Sequence, residues 1–247
     1  MIDLDGVVWL TRDPIPGSAD AVAELRAAGH EVVFVTNNAE SRVSELEAKL
    51  AEAGIEAGGA VITSAQAAAS VLDPGSTALA CGGPGVVEAL EARGITVRSE
   101  GPVDAVVVGF HHDFDYARLT AAHRAVWQGA RLIGTNADPT LPTPEGPLPG
   151  AGSLLAAVAT AAGVEPEVAG KPFPPMAALV RQLVGDGPHV MVGDRPSTDG
   201  LLAVELGARF GLVLSGTTDA GDLEGEEHAP DRVADDLAAM VAAELGG

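Results

Sequence analysis

The apolar positions of this chain fall into short strand-like runs separated by stretches in which they recur at helical spacing. Met1 to Leu10 reads as a buried strand that runs out into a loop at Gly6. Pro16-Gly17-Ser18 is a turn with a helix cap, Ala21 to Ala28 keeps the helical period, and Gly29 stops it. Glu31 to Val35 is a β-rich apolar run ending in Thr36-Asn37-Asn38. Strand, helix and strand in close succession form the βαβ pattern of a parallel sheet. Ligands of such sheets sit beyond the carboxyl ends of the strands, where Asp3-Leu4-Asp5 and Thr36-Asn37-Asn38 are both predicted to lie. A second helix is expected from Ser41 to Ala53, closed by Gly54, with Ala60-Val61-Ile62 as a further short strand.

From Thr63 to Ala169 the alternation continues as what reads as a separate unit. Ser64 to Leu72 is helical, Thr77 to Cys81 is a strand, and Gly82-Gly83-Pro84-Gly85 opens a helix over Val86 to Ala92. Glycines at a helix start can cradle a phosphate. The full dinucleotide fingerprint and its downstream acid are missing, which favours an ordinary strand-to-helix turn. Asp104 to Phe110 is the clearest strand of this unit and ends in His111-His112-Asp113. Neighbouring strand residues point to opposite faces, so these two imidazoles do not readily meet one ion, and no zinc spacing accompanies them. One of them lining a pocket, or both capping the strand, are the readings that remain. A helix over Tyr116 to Trp127 and a strand over Arg131 to Thr135 follow. A Pro- and Gly-rich loop then runs from Asn136 to Gly150, a length that is usually functional or disordered.

From Val164 the character of the opening segment returns. Gly170-Lys171-Pro172 closes a short apolar segment, Pro175 to Val184 is a helix, and the strand Val190 to Val192 runs into Gly193-Asp194-Arg195-Pro196-Ser197-Thr198-Asp199. A helix over Gly200 to Leu206, a strand over Ala208 to Leu214, an acidic stretch at Glu224 to Glu227 and a helix from Asp231 to Leu245 complete the pattern.

With 247 residues, 47% of them hydrophobic, the chain can build one large domain or a core with a smaller unit. No apolar run approaches a membrane span and no basic segment leads into one, so a soluble, cytoplasmic protein with no membrane partner is expected. Cys81 is the single cysteine, which excludes an intrachain disulfide and fits a reducing compartment. A net charge of −21 argues against a nucleic-acid partner. The acidic residues are spread along the chain, as expected of a solvating surface.

The candidate chemistry stands at the predicted strand ends. Asp3 and Asp5, two apart, would share one face of a strand. Like charges there are unfavourable without a cation, a shared proton or a bound cationic group. A hard ion held by oxygens, above all Mg²⁺, suits the pair. The plain alternative is a solvated acidic turn, and a calcium loop fits badly because its further positions hold Val7, Trp9 and Asp13 followed by Pro14. A second acidic pair, Asp194 and Asp199, and a lysine, Lys171, complete the set.

In this order, and with an inserted unit between the second and third signals, the chain resembles the haloacid dehalogenase superfamily. Motif one is Asp3-Leu4-Asp5-Gly6-Val7, motif two Thr36, motif three Lys171, and motif four Gly193-Asp194 with Asp199. Pro16-Gly17, Thr36-Asn37-Asn38, Thr135-Asn136-Ala137-Asp138, Pro149-Gly150-Ala151-Gly152, Gly170-Lys171-Pro172 and Gly193-Asp194-Arg195 are similar to its subfamily IIA. That subfamily includes 4-nitrophenylphosphatases, phosphoglycolate and glycerol phosphatases, nucleotide monophosphatases and pyridoxal phosphate phosphatase.

The resemblance implies an α/β fold: a doubly wound, parallel-sheet, Rossmann-like core over residues 1–62 and 170–247, with an α/β type-two cap inserted at 63–169. It implies a Mg²⁺-dependent phosphatase acting through an aspartyl-phosphate. Asp3 is the implied nucleophile and Asp5 the acid and base. The metal is implied to be held by Asp3, Asp194 and the backbone carbonyl of Asp5, with Asp199 behind them. Thr36, Asn37, Asn38 and Lys171 are the implied phosphoryl-binding residues, and Asp138 of the cap loop is implied to contact the substrate.

The partner is then a small phosphorylated metabolite chosen by the loop Asn136 to Pro142. Thr140-Leu141 stands where pyridoxal phosphatases are expected to carry a histidine, which argues against that vitamin. A stiff loop of small and apolar residues suits glycerol phosphate or phosphoglycolate. A homodimer through the cap is also implied. Two departures stand out. Only Met1-Ile2 precede Asp3, so either the start lies upstream or the first strand is clipped, and Pro196-Ser197 occupy positions where relatives often carry another acid. A receiver-like phosphoacceptor domain and a phosphotransferase or mutase remain open alternatives.

Overall fold

Ile2 makes parallel bridges to Phe34 on one side and to Val192 on the other. The backbone confirms the insertion: Ile2 N–H donates to Val33 O at 2.8 Å, Val35 N–H to Ile2 O at 2.9 Å, and Asp3 N–H to Val192 O at 2.9 Å. The expected opening strand is thereby reduced to this one ladder position, and the chain leaves the sheet at Asp3. Trp9–Leu10 then pairs antiparallel with Asp13–Pro14, a hairpin the sequence pattern does not announce.

The computed structural model describes the chain apart from residues 142, 144, 145, 186, 220, 222–228 and 247, so Pro142 and the acidic stretch Glu224 to Glu227 lie outside the described residues. The chain divides into two compact units. The first comprises Met1–Thr36, Ser44–Ile62 and Lys171–Gly247. In it the strand Phe34–Thr36 lies beside Val61–Thr63, and beyond Ile2 the strands Val190–Gly193, Arg209–Val213 and Arg232–Ala234 run parallel. Ile2, Leu4, Phe34, Met191 and Leu212 are fully buried, as the near-continuous apolar runs of a parallel sheet covered on both faces require.

Two expected helices start later here. Asp231 to Leu245 was expected to be continuous, but Arg232–Ala234 completes the sheet edge and the helix is confined to Leu237–Leu245. Its start is fixed by Asp236, whose carboxylate accepts from Ala239 N–H at 2.8 Å. Ladder hydrogen bonds to Gly211–Val213 outweigh the helical spacing of these residues. The helix expected from Gly200 is Leu201–Leu206, preceded by a single turn of π-helix at Pro196–Gly200.

The second unit comprises Asn37–Val43 and Thr63–Gly170. Its five parallel strands lie in the order Glu167–Val168, Arg131–Gly134, Ala105–Val108, Thr77–Cys81, Thr96–Arg98. The helix Tyr116–Trp127 covers one face with Ala122, Ala125 and Val126. Beside it lies Ala151–Ala162, a helix falling in a stretch to which the sequence pattern assigns no element. Its alanine-rich run is closed by Gly163 in the left-handed conformation. The segment Asn37–Val43 belongs here because Val43 N–H donates to Glu88 Oε2 at 2.8 Å and Gly85 N–H to Glu40 O at 2.8 Å.

That last contact decides between the two readings of the glycine cluster. A Cβ on Gly83 or Gly85 would strike the backbone of Glu40 or Ser41. The glycines serve close approach of two chain segments, and the helix amide that could meet a phosphate is already satisfied by a carbonyl.

Candidate active site

Asp3 leaves the sheet directly after Ile2, at the carboxyl end of its ladder position, and is 7% exposed. Its Oδ1 accepts from Leu4 N–H at 2.8 Å and from Lys171 Nζ at 2.7 Å. Lys171, 2% exposed, donates equally to Asp199 Oδ1 at 2.7 Å. The other oxygen of Asp199 accepts from Arg195 N–H at 3.2 Å, a bond set up by the π-turn that lifts Asp199 back over the end of its strand. Gly193 is obligatory beneath it, since a Cβ there would overlap the carboxylate of Asp199.

Asp194, 2% exposed, turns toward the same place: one oxygen each of Asp3, Asp194 and Asp199 lie within 4.8 Å of one another. Burial drives the pKa of Asp3 well above the carboxylate range, and Asp199 and Asp194 push it further, against the opposing pull of Lys171. Asp199 is raised by burial too. Burial alone would lower Lys171, but Asp199 and Asp3 outweigh it and hold the ammonium charged beyond the usual lysine range. Asp3 and Asp199 thus flank one ammonium, with an oxygen of Asp194 in the same carboxylate cluster, in a site almost closed to water. The all-oxygen donor set fits a hard divalent cation such as Mg²⁺, whose charge would favour the ionised carboxylates that burial disfavours.

Asp5 is separated from this cluster in character. It is exposed, and its Oδ1 accepts from Trp9 Nε1 at 2.9 Å. The strand ends too early for Asp3 and Asp5 to be held by strand alternation, and the indole of Trp9 takes over the orienting role. Trp9 is itself 1% exposed, with the Lys49 ammonium 3.8 Å over its ring. The acid whose side chain joins Asp3 and Asp194 in the carboxylate cluster is Asp199.

Thr36, 1% exposed, closes the strand Phe34–Thr36 of the first unit. In the second unit Asn37 Nδ2 donates to Asp138 Oδ2 at 3.1 Å, while Asn37 O accepts from Asn136 Nδ2 at 2.9 Å and Ser64 Oγ at 2.7 Å. Asp138 is therefore an acceptor that holds the Asn37 side chain. Asn38 Oδ1 accepts from Glu40 and Ser41 N–H at 3.0 and 3.1 Å and shapes the turn. His111 is buried with its Nε2 4.0 Å from Cys81 Sγ, and His112 points outward to 3.8 Å from Glu40. The two imidazoles diverge, and both lie past the strand Ala105–Val108, in the loop that follows it.

The residues missing from the sequence reading are Ser215, Gly216 and Thr217. Thr217 N–H and Oγ1 donate to Asp194 Oδ2 at 2.7 and 2.8 Å, and Ser215 Oγ donates to Gly6 O at 2.7 Å. A Gly-Thr pair just past the strand Arg209–Val213, at the same sheet edge as the acids, is the signal that could have found them.

Residues 1–96 match the family profile described as haloacid dehalogenase-like hydrolase, and residues 168–240 a second, HAD-hydrolase-like profile. The chain is 39% identical to the D-glycerol 3-phosphate phosphatase of Mycobacterium tuberculosis over 90% of its own length and 64% of that protein's, so it spans less than two thirds of that relative. It is 32% identical to the acid sugar phosphatase of Staphylococcus aureus over 93% of this chain and 91% of that one. Among solved structures it resembles the magnesium complex of the M. tuberculosis glycerol phosphate phosphatase, with a TM-score of 0.90, 36% identity and coverage of 97% and 75%. The p-nitrophenyl phosphatase of Archaeoglobus fulgidus is similar at a TM-score of 0.91, 30% identity and coverage of 98% and 97%.

Proposed function

The chain belongs to the haloacid dehalogenase-like hydrolase family, and from that premise we propose that it hydrolyses small organic phosphate monoesters with Mg²⁺ through an aspartyl-phosphate on Asp3. The observation that carries this reading is Lys171 joined at 2.7 Å to both Asp3 and Asp199, with an oxygen of Asp194 in the same cluster.

Asp3 attacks phosphorus, the bond to the ester oxygen breaks, and Asp5 supplies the proton that oxygen needs. Water then attacks the acyl-phosphate while Asp5 takes back a proton, which restores both carboxyl groups and releases inorganic phosphate. Asp5 suits this exchange because it is exposed, whereas Asp3 is buried against Lys171. Lys171 offsets the charge of nucleophile and phosphoryl oxygens, and Thr36 donates to those oxygens. Mg²⁺, bound by Asp3 and Asp194 with the backbone carbonyl of Asp5, would lower the repulsion between a carboxylate and an anionic ester.

The substrate class is a compact phosphate such as glycerol phosphate or phosphoglycolate. Supporting it are the similarity to a glycerol phosphatase and the loop in which Thr140–Leu141 pairs with Leu148–Pro149. Cytoplasmic residence belongs to the same reading, supported by the single buried cysteine and by the described residues, in which no helix is long and apolar enough to cross a membrane. A homodimer through the inserted unit also belongs to it. Supporting that is the helix Tyr116–Trp127, whose end residues are 82% and 76% exposed.

The test is phosphate release from a panel of small monoesters with and without Mg²⁺, beside Asp3→Asn. Release that requires magnesium and vanishes in the variant supports the reading. Undiminished release by Asp3→Asn removes the nucleophile, and an acyl-phosphate that forms without turning over favours a phosphoacceptor domain.

A further inference from the structure

We propose that Thr217, oriented by Arg195, is a positioning residue that fixes the carboxylate of Asp194 for its cation. This rests on the reading of Asp194 as a metal ligand. Both hydrogen-bonding groups of Thr217, its N–H and its Oγ1, converge on the same oxygen, Asp194 Oδ2, at 2.7 and 2.8 Å. Arg195 Nε donates to Thr217 Oγ1 at 3.0 Å. That contact settles the direction of the next one. A guanidinium has no acceptor, so the threonine oxygen receives its hydrogen and must turn its own toward Asp194.

The carboxylate is confined from other sides as well. Gly6 lies in the left-handed region with φ +87°, and a Cβ there would come 2.5 Å from Asp194 Oδ2. A Cβ on Gly216 would overlap the same side chain. Ser215 Oγ ties this loop to Gly6 O at 2.7 Å, so the loop after Arg209–Val213 and the turn after Asp3 form one cradle. With Oδ2 committed to two donors and rotation blocked by two close backbones, the free lone pairs of Asp194 are concentrated on the other oxygen. A cation then meets a ligand that has already lost its freedom to turn, which raises affinity by preorganisation.

The experiment measures Mg²⁺ binding directly, by calorimetry on the full chain and by the Mg²⁺-induced rise in unfolding midpoint, without substrate. Thr217 is exposed, so Thr217→Val removes a hydroxyl without opening a core cavity. Its Mg²⁺ affinity should fall about tenfold, the range seen for groups that orient metal ligands, and Thr217→Ser should restore it. Arg195→Ala should fall in the same direction by less. Combined with Thr217→Val it should add almost nothing, since Arg195 acts through Thr217. Unchanged Mg²⁺ affinity in Thr217→Val, or full additivity with Arg195→Ala, overturns the proposal. Asp194→Asn separates the two levels of argument. If it leaves Mg²⁺ binding intact the metal reading fails; if it abolishes binding while Thr217→Val does not alter it, only this inference fails.

Discussion

Lys171 Nζ lies 2.7 Å from Asp3 Oδ1, with the two side chains 2% and 10% exposed. At that burial neither charge has water to fall back on, so the pair is held by mutual attraction and by Asp199 on the other side of the ammonium. Removing one partner of a buried pair costs about 3–5 kcal/mol because the other charge is stranded. Lys171→Met should therefore lower the unfolding midpoint and reduce phosphate release by about 10²-fold or more, the scale of losing one charge-stabilising group. Thermal melts at fixed Mg²⁺ beside a turnover assay check both, and near-parental turnover would remove Lys171 from the site.

Asp5 as proton donor predicts a dependence on the leaving group. An alkoxide leaving from glycerol phosphate needs the proton more than a nitrophenolate does. Asp5→Asn should slow the alkyl ester by about 10²-fold or more and p-nitrophenyl phosphate by clearly less. Trp9→Phe, which deletes the N–H that holds Asp5 Oδ1 at 2.9 Å, should show the same selectivity in weaker form. Equal losses on both esters would deny Asp5 the proton-transfer role.

Gly193→Ala tests the packing of the acid cluster. The added methyl would overlap the Asp199 carboxylate, whose two oxygens are held by Lys171 and by Arg195 N–H. Overpacking of this kind typically costs about 1–3 kcal/mol, and the displacement falls on Asp199 and, through it, on Lys171. Activity should drop by more than stability alone explains, measured as turnover at a temperature where the variant remains folded. A fully active variant would show that Asp199 can move freely.

Cys81 predicts a pH effect away from the site. Burial pushes its thiol up to about 11 from an ordinary 9.0. Between those values the unfolded chain has released a proton that the folded chain keeps, so stability is intact below about 9 and falls as pH rises toward 11, by up to about 1.4 kcal/mol per pH unit. The unfolding midpoint of the parent should drop more steeply across that window than that of Cys81→Ala. The native thiol should also resist alkylation near pH 8 and react once the protein is unfolded. Parallel pH profiles would contradict the buried, neutral thiol.

The sequence by itself determined the parts that rest on local pattern and on residue chemistry. Alternating apolar runs and helical stretches fix a parallel α/β sheet, and the Tyr116–Trp127 helix and the Thr77–Cys81 strand have the boundaries their periodicity predicts. Paired acids and a lysine at predicted strand ends mark Asp3, Lys171, Asp194 and Asp199 as candidates, and their order along the chain, with a unit inserted between Thr36 and Lys171, carries the resemblance to the haloacid dehalogenase superfamily.

Tertiary structure decided what depends on long-range partners. Arg232–Ala234 has helical spacing but becomes a strand because an open sheet edge was waiting for it. Asp5 is oriented by an indole four residues on rather than by strand alternation, since the ladder ends at Ile2. Asp199 is brought against Lys171 by a π-turn that no periodicity encodes. Thr217 reaches Asp194 across 23 positions of sequence. A hydrogen bond between residues that far apart leaves no trace in local composition. It exists only because parallel strands deliver their carboxyl ends to one edge, where the loops that follow them meet.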